Sequence, residues 1–124
     1  MNFEEYAAKP LLAASGIKVP QSVLVYHPDA AAEAADRLGG CVVKAQVPTG
    51  KRGKAGGIKL ADTPEEARAH AKSILGMTIG FHTVEKVLIE EKSDIKREFY
   101  AAVLNDPVSK GPMVMFSTGV NPAA

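Results

Sequence analysis

The sequence predicts a mixed α/β domain of the α+β type, with a largely antiparallel sheet and flanking helices. Three stretches combine helix caps with helical spacing of apolar residues, and runs rich in β-branched residues lie between them. Short turns join some predicted strands and helices join others, which is typical of a mixed sheet. At 124 residues and 46% apolar composition, the chain can form one modest core.

The first predicted helix lies near the N-terminus. Asn2 is its expected cap, acidic residues follow in the first turn, and apolar residues recur at helical spacing from Phe3 to Ala14. Pro10 lacks a backbone N–H, so we expect it to kink or split this helix. Gly16 is the expected end of the helix.

A strand, a helix and two further strands are predicted next. The apolar run SVLVY, residues 22–26, is typical of a buried strand, and an alanine-rich helix begins near Pro28 and ends at Gly39. The segment CVVKAQV, residues 41–47, is the second strand. Beyond a glycine-rich loop, GIKLA at 57–61 is expected to pair with it as a hairpin.

The clearest helix signal follows this hairpin. Thr63 is the expected N-cap, Pro64 takes the first helical position, and Glu66 completes a capping box. Gly76 ends the helix. The run KVLIEEK then predicts a fourth strand, and two apolar runs on either side of DPVSKG predict a closing hairpin.

The stretch VVKAQVPTGKRGKAGGIKL, residues 42–60, indicates an anion site. Lys44 lies on a predicted strand, and the loop beyond it combines four glycines with Lys51, Arg52 and Lys54. Glycines let the backbone approach a ligand closely, so that consecutive N–H groups can point at one anion, and neighbouring cations suit a polyphosphate. The spacing matches neither a Walker A loop nor G-x-G-x-x-G. A solvated basic turn is the alternative interpretation of these residues.

Acidic residues form a second cluster. Glu90 and Glu91 end one predicted strand and Glu98 begins the next, so adjacent strands could bring these side chains together. Carboxylates in that position could accept hydrogen bonds from an amino group or from ribose hydroxyls. Alternatively, these acids only cap the ends of the strands.

The bulk properties exclude several function classes. A formal net charge of +1 gives no general attraction to nucleic acid or membranes, and KRGK lacks interleaved aromatic residues that stack on bases. No apolar run reaches the length of a membrane span. The single cysteine, Cys41, has no companions at metal-ligand spacing. We therefore expect a soluble, cytoplasmic protein that binds neither nucleic acid nor membrane.

Taken together, VVK-x-QV, RGKAGG and D-I-K-x-E-x-Y, in this order, resemble the β subunit of succinyl-CoA synthetase. That group includes malate–CoA ligase and belongs to the ATP-grasp superfamily. The resemblance covers nearly the whole chain and implies the N-terminal ATP-grasp lobe with the second lobe truncated. It divides the chain into an N-terminal helix at 1–20, a nucleotide-binding subdomain at 21–95 and the incomplete start of a second lobe at 96–124.

The resemblance also implies an ATP site. Lys44 corresponds to a strand lysine that contacts the nucleotide near its α-phosphate, and the glycine-rich loop corresponds to one that closes over the phosphates. Glu90 and Ser93 match positions at the adenine-facing hinge, and Glu98 matches the acid that binds the ribose hydroxyls. Pro20 lies where the family discriminates adenine from guanine, and here it favours ATP. The implied ATP-binding residues are Lys44, Lys51, Arg52, Gly53, Glu90, Ser93 and Glu98.

The implied reaction of the whole enzyme is phosphoryl transfer. ATP gives its γ-phosphate to a histidine of a separate α subunit, and an acyl phosphate then yields acyl-CoA from a dicarboxylate such as succinate or malate. The resemblance puts the Mg²⁺ ligands and the CoA-ligase part outside this chain, so it assigns no catalytic residue and no metal ligand here. We expect little or no ligase activity from this chain alone.

Two expectations concern partners and departures from the family. The α subunit is the implied partner, and an apolar run, MVMF, in the predicted strands at 96–105 and 112–118 leads us to expect homodimers of this chain.

The family usually carries glycine at the position of Lys51, so the loop here is more positive and stiffer. The alternative function is a non-catalytic module that keeps the fold and binds another anion or assembles with a partner.

Overall fold

The structure, a computed structural model, describes residues 4–92, 100–106 and 108–117, which form three helices and eight strands. The chain divides into two units, residues 1–93 and residues 94–124. The described elements of the first unit are α1 (Glu5–Ala14), β1 (Ser22–Val25), α2 (Pro28–Leu38), β2 (Cys41–Ala45), β3 (Ile58–Ala61), α3 (Pro64–Ile74), β4 (Thr78–Ile79), β5 (His82–Thr83) and β6 (Val87–Glu91). Those of the second unit are β7 (Tyr100–Asp106) and β8 (Gly111–Ser117).

A four-stranded sheet in the order β1-β6-β2-β3 organises the first unit. Every neighbouring pair is antiparallel, and β6 lies between β1 and β2 although it follows both along the chain. The predicted hairpin of β2 and β3 is confirmed, with Lys44 opposite Ile58. The predicted fold class, a mixed α/β domain with a mostly antiparallel sheet and flanking helices, is confirmed.

The two faces of β2 have different environments. Cys41, Val43 and Ala45 are fully buried in the core, where they pack with the alanine-rich faces of α2 and α3. Val42 and Lys44 alternate with them and are only partly buried. Because successive side chains of a strand point to opposite faces, Lys44 projects from the face of the sheet that lies away from this core.

The capping of α3 follows the sequence prediction in part. The N–H of Glu66 donates to the Thr63 hydroxyl at 3.2 Å, so Thr63 is the N-cap. The Glu66 carboxylate accepts from the N–H of Asp62 at 3.3 Å, one residue before the position that a capping box requires. The helix ends at Ile74, and the predicted Gly76 lies just beyond it with positive φ, as Gly16 lies just beyond α1.

Helix α1 is continuous, although a kink or split at Pro10 was predicted. It remains one α-helix through Pro10, and Glu4 occupies its N-cap position without a side-chain capping bond. Asn2, the expected cap, lies outside the described residues. The predicted end at Gly16 is confirmed: the N–H of Gly16 donates to Ala13 at 3.1 Å, in a turn with positive φ.

Helix α1 contributes no residue to the core, although its sequence predicts an apolar face. None of its residues is buried, and Leu11 and Leu12 are 58% and 43% exposed. Polar side chains therefore attach the helix to the sheet. No helix in the described part of the chain is long and apolar enough to cross a membrane.

A small hairpin of β4 and β5 was not predicted. Thr78 pairs with Thr83 and Ile79 with His82, and Ile79 is buried in the core while Phe81 in the turn is fully exposed. Strands of two residues carry too little alternation to stand out in a sequence. The hairpin adds Ile79 to the core beside the glycine-rich loop.

The second unit contains the predicted closing hairpin. β7 and β8 are antiparallel, with Tyr100 opposite Ser117 and Asp106 opposite Gly111. The apolar residues 113–116 on β8 are 40–72% exposed. The homodimer expected from this segment stays a prediction.

Gly57 lies at the closest approach between the glycine-rich loop and the core. A Cβ at this position would come within 2.8 Å of Ile79 Cδ1 and 3.0 Å of Ala45 Cβ. We expect Gly57→Ala to lower the free energy of unfolding by about 1–3 kcal/mol, because overpacking displaces neighbouring side chains. Urea denaturation measures this change. The control is Gly50→Ala, where no atom lies within 4 Å of the added Cβ; equal losses in the two variants would contradict the packing argument.

Candidate functional site

Lys44 is the centre of a cluster of charged side chains on the face of the sheet away from the core. Its Nζ lies 2.9 Å from Oε1 of Glu5, on α1, and 3.0 Å from Oε1 of Glu90, on β6. The Lys44 side chain is 20% exposed. A strand lysine and two carboxylates from distant parts of the chain therefore meet in a partly buried position.

Glu5 connects this lysine to the glycine-rich loop. Its second oxygen, Oε2, lies 2.6 Å from Nη2 of Arg52. The guanidinium of Arg52 is fixed from the other side, because its Nη1 donates to the carbonyl oxygen of Ala45 at 2.9 Å. One carboxylate thus bridges an ammonium group on a strand and a guanidinium group on a loop.

Glu90 extends the cluster back to α1. Its carboxylate accepts hydrogen bonds from Lys44 and from Lys9, and the residue is only 9% exposed. The resulting order is Lys9, Glu90, Lys44, Glu5 and Arg52, in which cations and carboxylates alternate. Three positive and two negative charges leave this described cluster with one excess positive charge.

Burial and neighbouring charges act in opposite directions on the pKa values of Lys44 and Glu5. Burial alone would lower the pKa of Lys44, but the charges and hydrogen bonds of Glu5 and Glu90 raise it above its ordinary 10.5. Burial alone would raise the pKa of Glu5, but Lys44 and Arg52 together lower it below its ordinary 4.5. Both groups are therefore charged at neutral pH.

The glycine-rich loop, residues 46–57, is folded on itself. The N–H groups of three successive residues, 55–57, donate to carbonyl oxygens earlier in the loop at 2.7–3.2 Å. The expectation that consecutive N–H groups point at one anion is therefore not met by these three. Within the described residues, Lys44 and Arg52 bring the positive charge together instead.

Lys51 has the left-handed backbone conformation that glycine adopts most easily. Its φ is 62°, and its side chain is exposed. A non-glycine residue in this region of φ is uncommon and strained. The glycine that the resemblance leads us to expect at this position would fit that conformation, and Lys51 adopts it at an energetic cost.

Polar contacts also fix the first turn of α1. The backbone N–H of Tyr6 donates to Oε1 of Gln46 at 2.8 Å, and Gln46 is almost fully buried. Glu4 lies 3.1 Å from Nζ of Lys86. The hydrogen bond to Glu4 raises the pKa of Lys86 above its ordinary value. Gln46 also donates to the backbone carbonyl of Lys44 at 3.4 Å, whereas neither contact involves the Lys44 ammonium or Arg52.

The predicted site residues fall into three groups. Lys44, Arg52 and Glu90 belong to the charged cluster, whereas Lys51 and Gly53 lie in the loop without a contact to Lys44 among the described ones. Pro20 precedes Gln21, whose N–H donates to Oε1 of Glu91 at 3.0 Å, so Pro20 lies at the end of the sheet near Glu90. Two predicted positions lie outside the described residues: Ser93 and Glu98.

Sequence reasoning missed two members of the cluster, Glu5 and Lys9. Both contact the face of the sheet that carries Lys44. Their spacing of four residues places them on one face of α1, which is a signal available in the sequence. That spacing alone cannot indicate which side of the domain the helix covers.

The described residues do not fit a magnesium ion. No group of three or more histidine, cysteine, aspartate or glutamate side chains within the described ranges could hold a metal. The carboxylates of Glu5 and Glu90 are already bound by cations. The cluster is suited to an anion.

Comparison with known proteins shows a matching domain family and similar curated proteins. It matches the model of the ATP-grasp domain over residues 2–121. It is 50% identical over 119 residues to the β subunit of an ADP-forming succinate–CoA ligase from Rubrobacter xylanophilus, and 48% identical over 118 residues to that of a GDP-forming succinate–CoA ligase from Thermus thermophilus. The alignments cover 95% and 94% of this chain, which spans about a third (31%) of the length of these curated relatives.

A solved structure with a similar fold is the dinucleotide-forming acetyl-coenzyme A synthetase 1 of Ca. Korarchaeum cryptofilum. That protein was solved in complex with coenzyme A, Ca-AMPCP and HgCl⁺. The TM-score is 0.81 at 25% sequence identity, and the match covers 96% of this chain and 54% of that one.

The charged cluster predicts a defined pH dependence of stability. The pKa of Glu5 is lowered on folding, so its contribution is present above its ordinary 4.5 and is lost as the pH falls through the lowered value. The raised pKa of Lys44 gives a contribution that is present below 10.5 and lost as the pH rises through the raised value. We expect wild type to be more stable than Glu5→Gln. The difference in their free energies of unfolding should be constant from about pH 6 to 9 and should shrink in acid. Urea denaturation at fixed pH values measures it, and a difference that persists unchanged in acid would contradict the assignment.

The conformation of Lys51 predicts a stabilising substitution. We expect Lys51→Gly to raise the free energy of unfolding by about 0.5–1 kcal/mol, because relief of the left-handed strain exceeds the entropic cost of glycine. The control is Lys54→Gly, which changes an exposed lysine of the same loop without positive φ. This control is expected to lose about 0.5–1 kcal/mol by the entropic cost alone. Urea denaturation distinguishes the two, and a loss of stability in both variants would refute the strain argument.

Proposed function

Because the chain belongs to the ATP-grasp domain family, we propose that it binds the phosphates of ATP through Lys44 and Arg52. It is then the nucleotide-binding part of an acyl-CoA synthetase of the succinate–CoA ligase type. The observation that carries the proposal is the convergence of these two cations on one carboxylate, at 2.9 and 2.6 Å. Two such donors side by side match the several charged oxygens of a polyphosphate.

Each cation has a distinct part in this proposal. Lys44 supplies a compact charge from the middle of the sheet, where strand pairing on both sides holds its backbone. Arg52 supplies a fork of donors from a loop, and its bond to the Ala45 carbonyl aims that fork toward Lys44. Rigidly placed positive charge stabilises a transferring phosphoryl group without reorganisation of the protein. Lys51 and Gly53 belong to the loop that lies over the phosphates.

The base and the ribose are assigned to the other predicted residues. We propose that Glu90 and Ser93 recognise the adenine and that Glu98 binds the ribose hydroxyls. Pro20 selects adenine over guanine in this proposal. Relatives of nearly equal identity to this chain are ADP-forming in one organism and GDP-forming in another, so overall similarity does not determine the base. A local position such as Pro20 is therefore the expected determinant.

The proposed reaction of the full-length protein joins a dicarboxylate, such as succinate or malate, to coenzyme A. ATP, the acid and coenzyme A give acyl-CoA, ADP and phosphate, and an α subunit is the proposed partner. Magnesium, when bound to the nucleotide, neutralises phosphate charge; the described residues provide no ligands for it. The chain spans about a third of its curated relatives, and we propose that it binds the nucleotide without completing the reaction.

The proposal is tested by titrating the chain with ATP in a calorimeter, with and without Mg²⁺. We expect Lys44→Ala to weaken binding by at least about tenfold, since a hydrogen bond to a charged group contributes about 1.5–3 kcal/mol. The control is Lys59→Ala, which removes an exposed lysine on the other face of the same sheet. Equal weakening in the two variants would favour a solvated basic turn and overturn the proposed site.

A further inference from the structure

We propose that Glu5 holds the place of a phosphate in the unliganded protein, and that a bound phosphate displaces its carboxylate from Lys44 and Arg52. Helix α1 then carries a competitor of the ligand, built into the chain. This inference rests on the proposed function, because it assigns a regulation to the same site.

Glu5 lies against donors of both cations. Two of the three protons of the Lys44 ammonium are directed to Glu5 and Glu90, at 2.9 and 3.0 Å. Arg52 uses Nη1 for the Ala45 carbonyl and Nη2 for Glu5. A phosphate that bridges both cations at the point where they converge therefore takes the place of the Glu5 oxygens.

The two cations and Glu5 lie in a partly buried position. The side chains of Lys44 and Arg52 are each 20% exposed, and that of Glu5 is 23% exposed. In addition, a phosphate next to an undisplaced Glu5 would bring like charges together in a partly buried position, which is unfavourable. Exchange of one anion for the other avoids this repulsion.

The charges around the site favour this exchange. Phosphate groups of a nucleotide carry more negative charge than one carboxylate, so Lys44 and Arg52 interact more strongly with them. Glu90 keeps its own contact with Lys9 when Glu5 leaves. The cluster therefore loses one ion-pair partner and keeps a second carboxylate to orient Lys44.

Helix α1 can release Glu5 without opening the core. None of its residues is buried, and Leu11 and Leu12 remain exposed. The helix retains four other described attachments when the Glu5 side chain turns to solvent. These are the contacts of Glu4 with Lys86, of the Tyr6 N–H with Gln46, of the Tyr6 ring with Lys86 and of Lys9 with Glu90.

The first experiment measures binding of inorganic pyrophosphate by calorimetry to the 124-residue chain and two variants. Glu5→Gln removes the competing charge, and we expect it to tighten pyrophosphate binding by about five- to tenfold, within the usual range of coupling between sites. Glu4→Gln is the matched control. It removes a neighbouring carboxylate that contacts Lys86 and does not contact Lys44 or Arg52, and we expect its affinity to stay within about twofold of wild type.

A second measurement uses the reciprocity of coupled equilibria. Without ligand, Glu5→Gln loses the ion pairs of Glu5 and is expected to melt at a lower temperature than wild type. With saturating pyrophosphate, wild type has also given up those ion pairs, so the difference in melting temperature between the two proteins shrinks. A carboxylate that only supports the fold would leave that difference unchanged.

Three results would overturn the inference. Weaker or unchanged pyrophosphate binding in Glu5→Gln would show that Glu5 positions the cations or has no effect on them. Equal tightening in Glu4→Gln would show that loosening of α1, and not the Glu5 charge, controls the site. Absence of binding in Glu5→Gln would show that the freed cations do not form an anion site. Circular dichroism checks the fold, and Glu5→Asp, with its shorter reach, is the second variant, expected to bind with intermediate affinity.

The outcomes also separate this inference from the proposed function. ATP binding that depends on Lys44, together with unchanged pyrophosphate affinity in Glu5→Gln, would leave the proposed function intact and remove only the competition by Glu5. ATP binding that does not depend on Lys44 would instead remove the site itself.

Discussion

The alternation of side chains along β2 is the constraint on which the rest of the structure depends. Cys41, Val43 and Ala45 enter the core, and Lys44 must then project from the other face of the sheet. A shift of one residue in the register would bury the lysine among alanines and expose the valine. The antiparallel pairings with β3 on one side and β6 on the other fix that register. The position of the charged cluster is thus a consequence of how the core is packed.

The charged cluster shows how partly buried charges become tolerable. An isolated ammonium group at the position of Lys44 would lose much of its hydration, and burial by itself lowers its pKa. Carboxylates on two different elements, α1 and β6, compensate for that loss. The same contacts attach a helix that has no buried residue of its own. The proposed phosphate binding and the attachment of α1 therefore depend on the same charges.

Local signals in the sequence were strong enough for most elements of the first unit. Thr63 caps α3 because its hydroxyl accepts an N–H within the same turn, and that interaction involves only neighbouring residues. The hairpin of β2 and β3 and that of β7 and β8 follow equally from local patterns. Pro10 misled the prediction, since α1 continues through it. The β4–β5 hairpin was missed because two-residue strands give no periodic signal.

The sequence by itself determined the helices, the main strands and the cations of the site, because caps, periodicity and the Lys44 and Arg52 motifs are encoded in short stretches. Only the tertiary structure decided that Glu5 and Lys9 join them, since these residues are separated from Lys44 and Glu90 by 39 and 81 positions, respectively. It also decided that β6 lies between β1 and β2. Pairings over such distances depend on packing of the whole domain, and no local pattern in the chain specifies them.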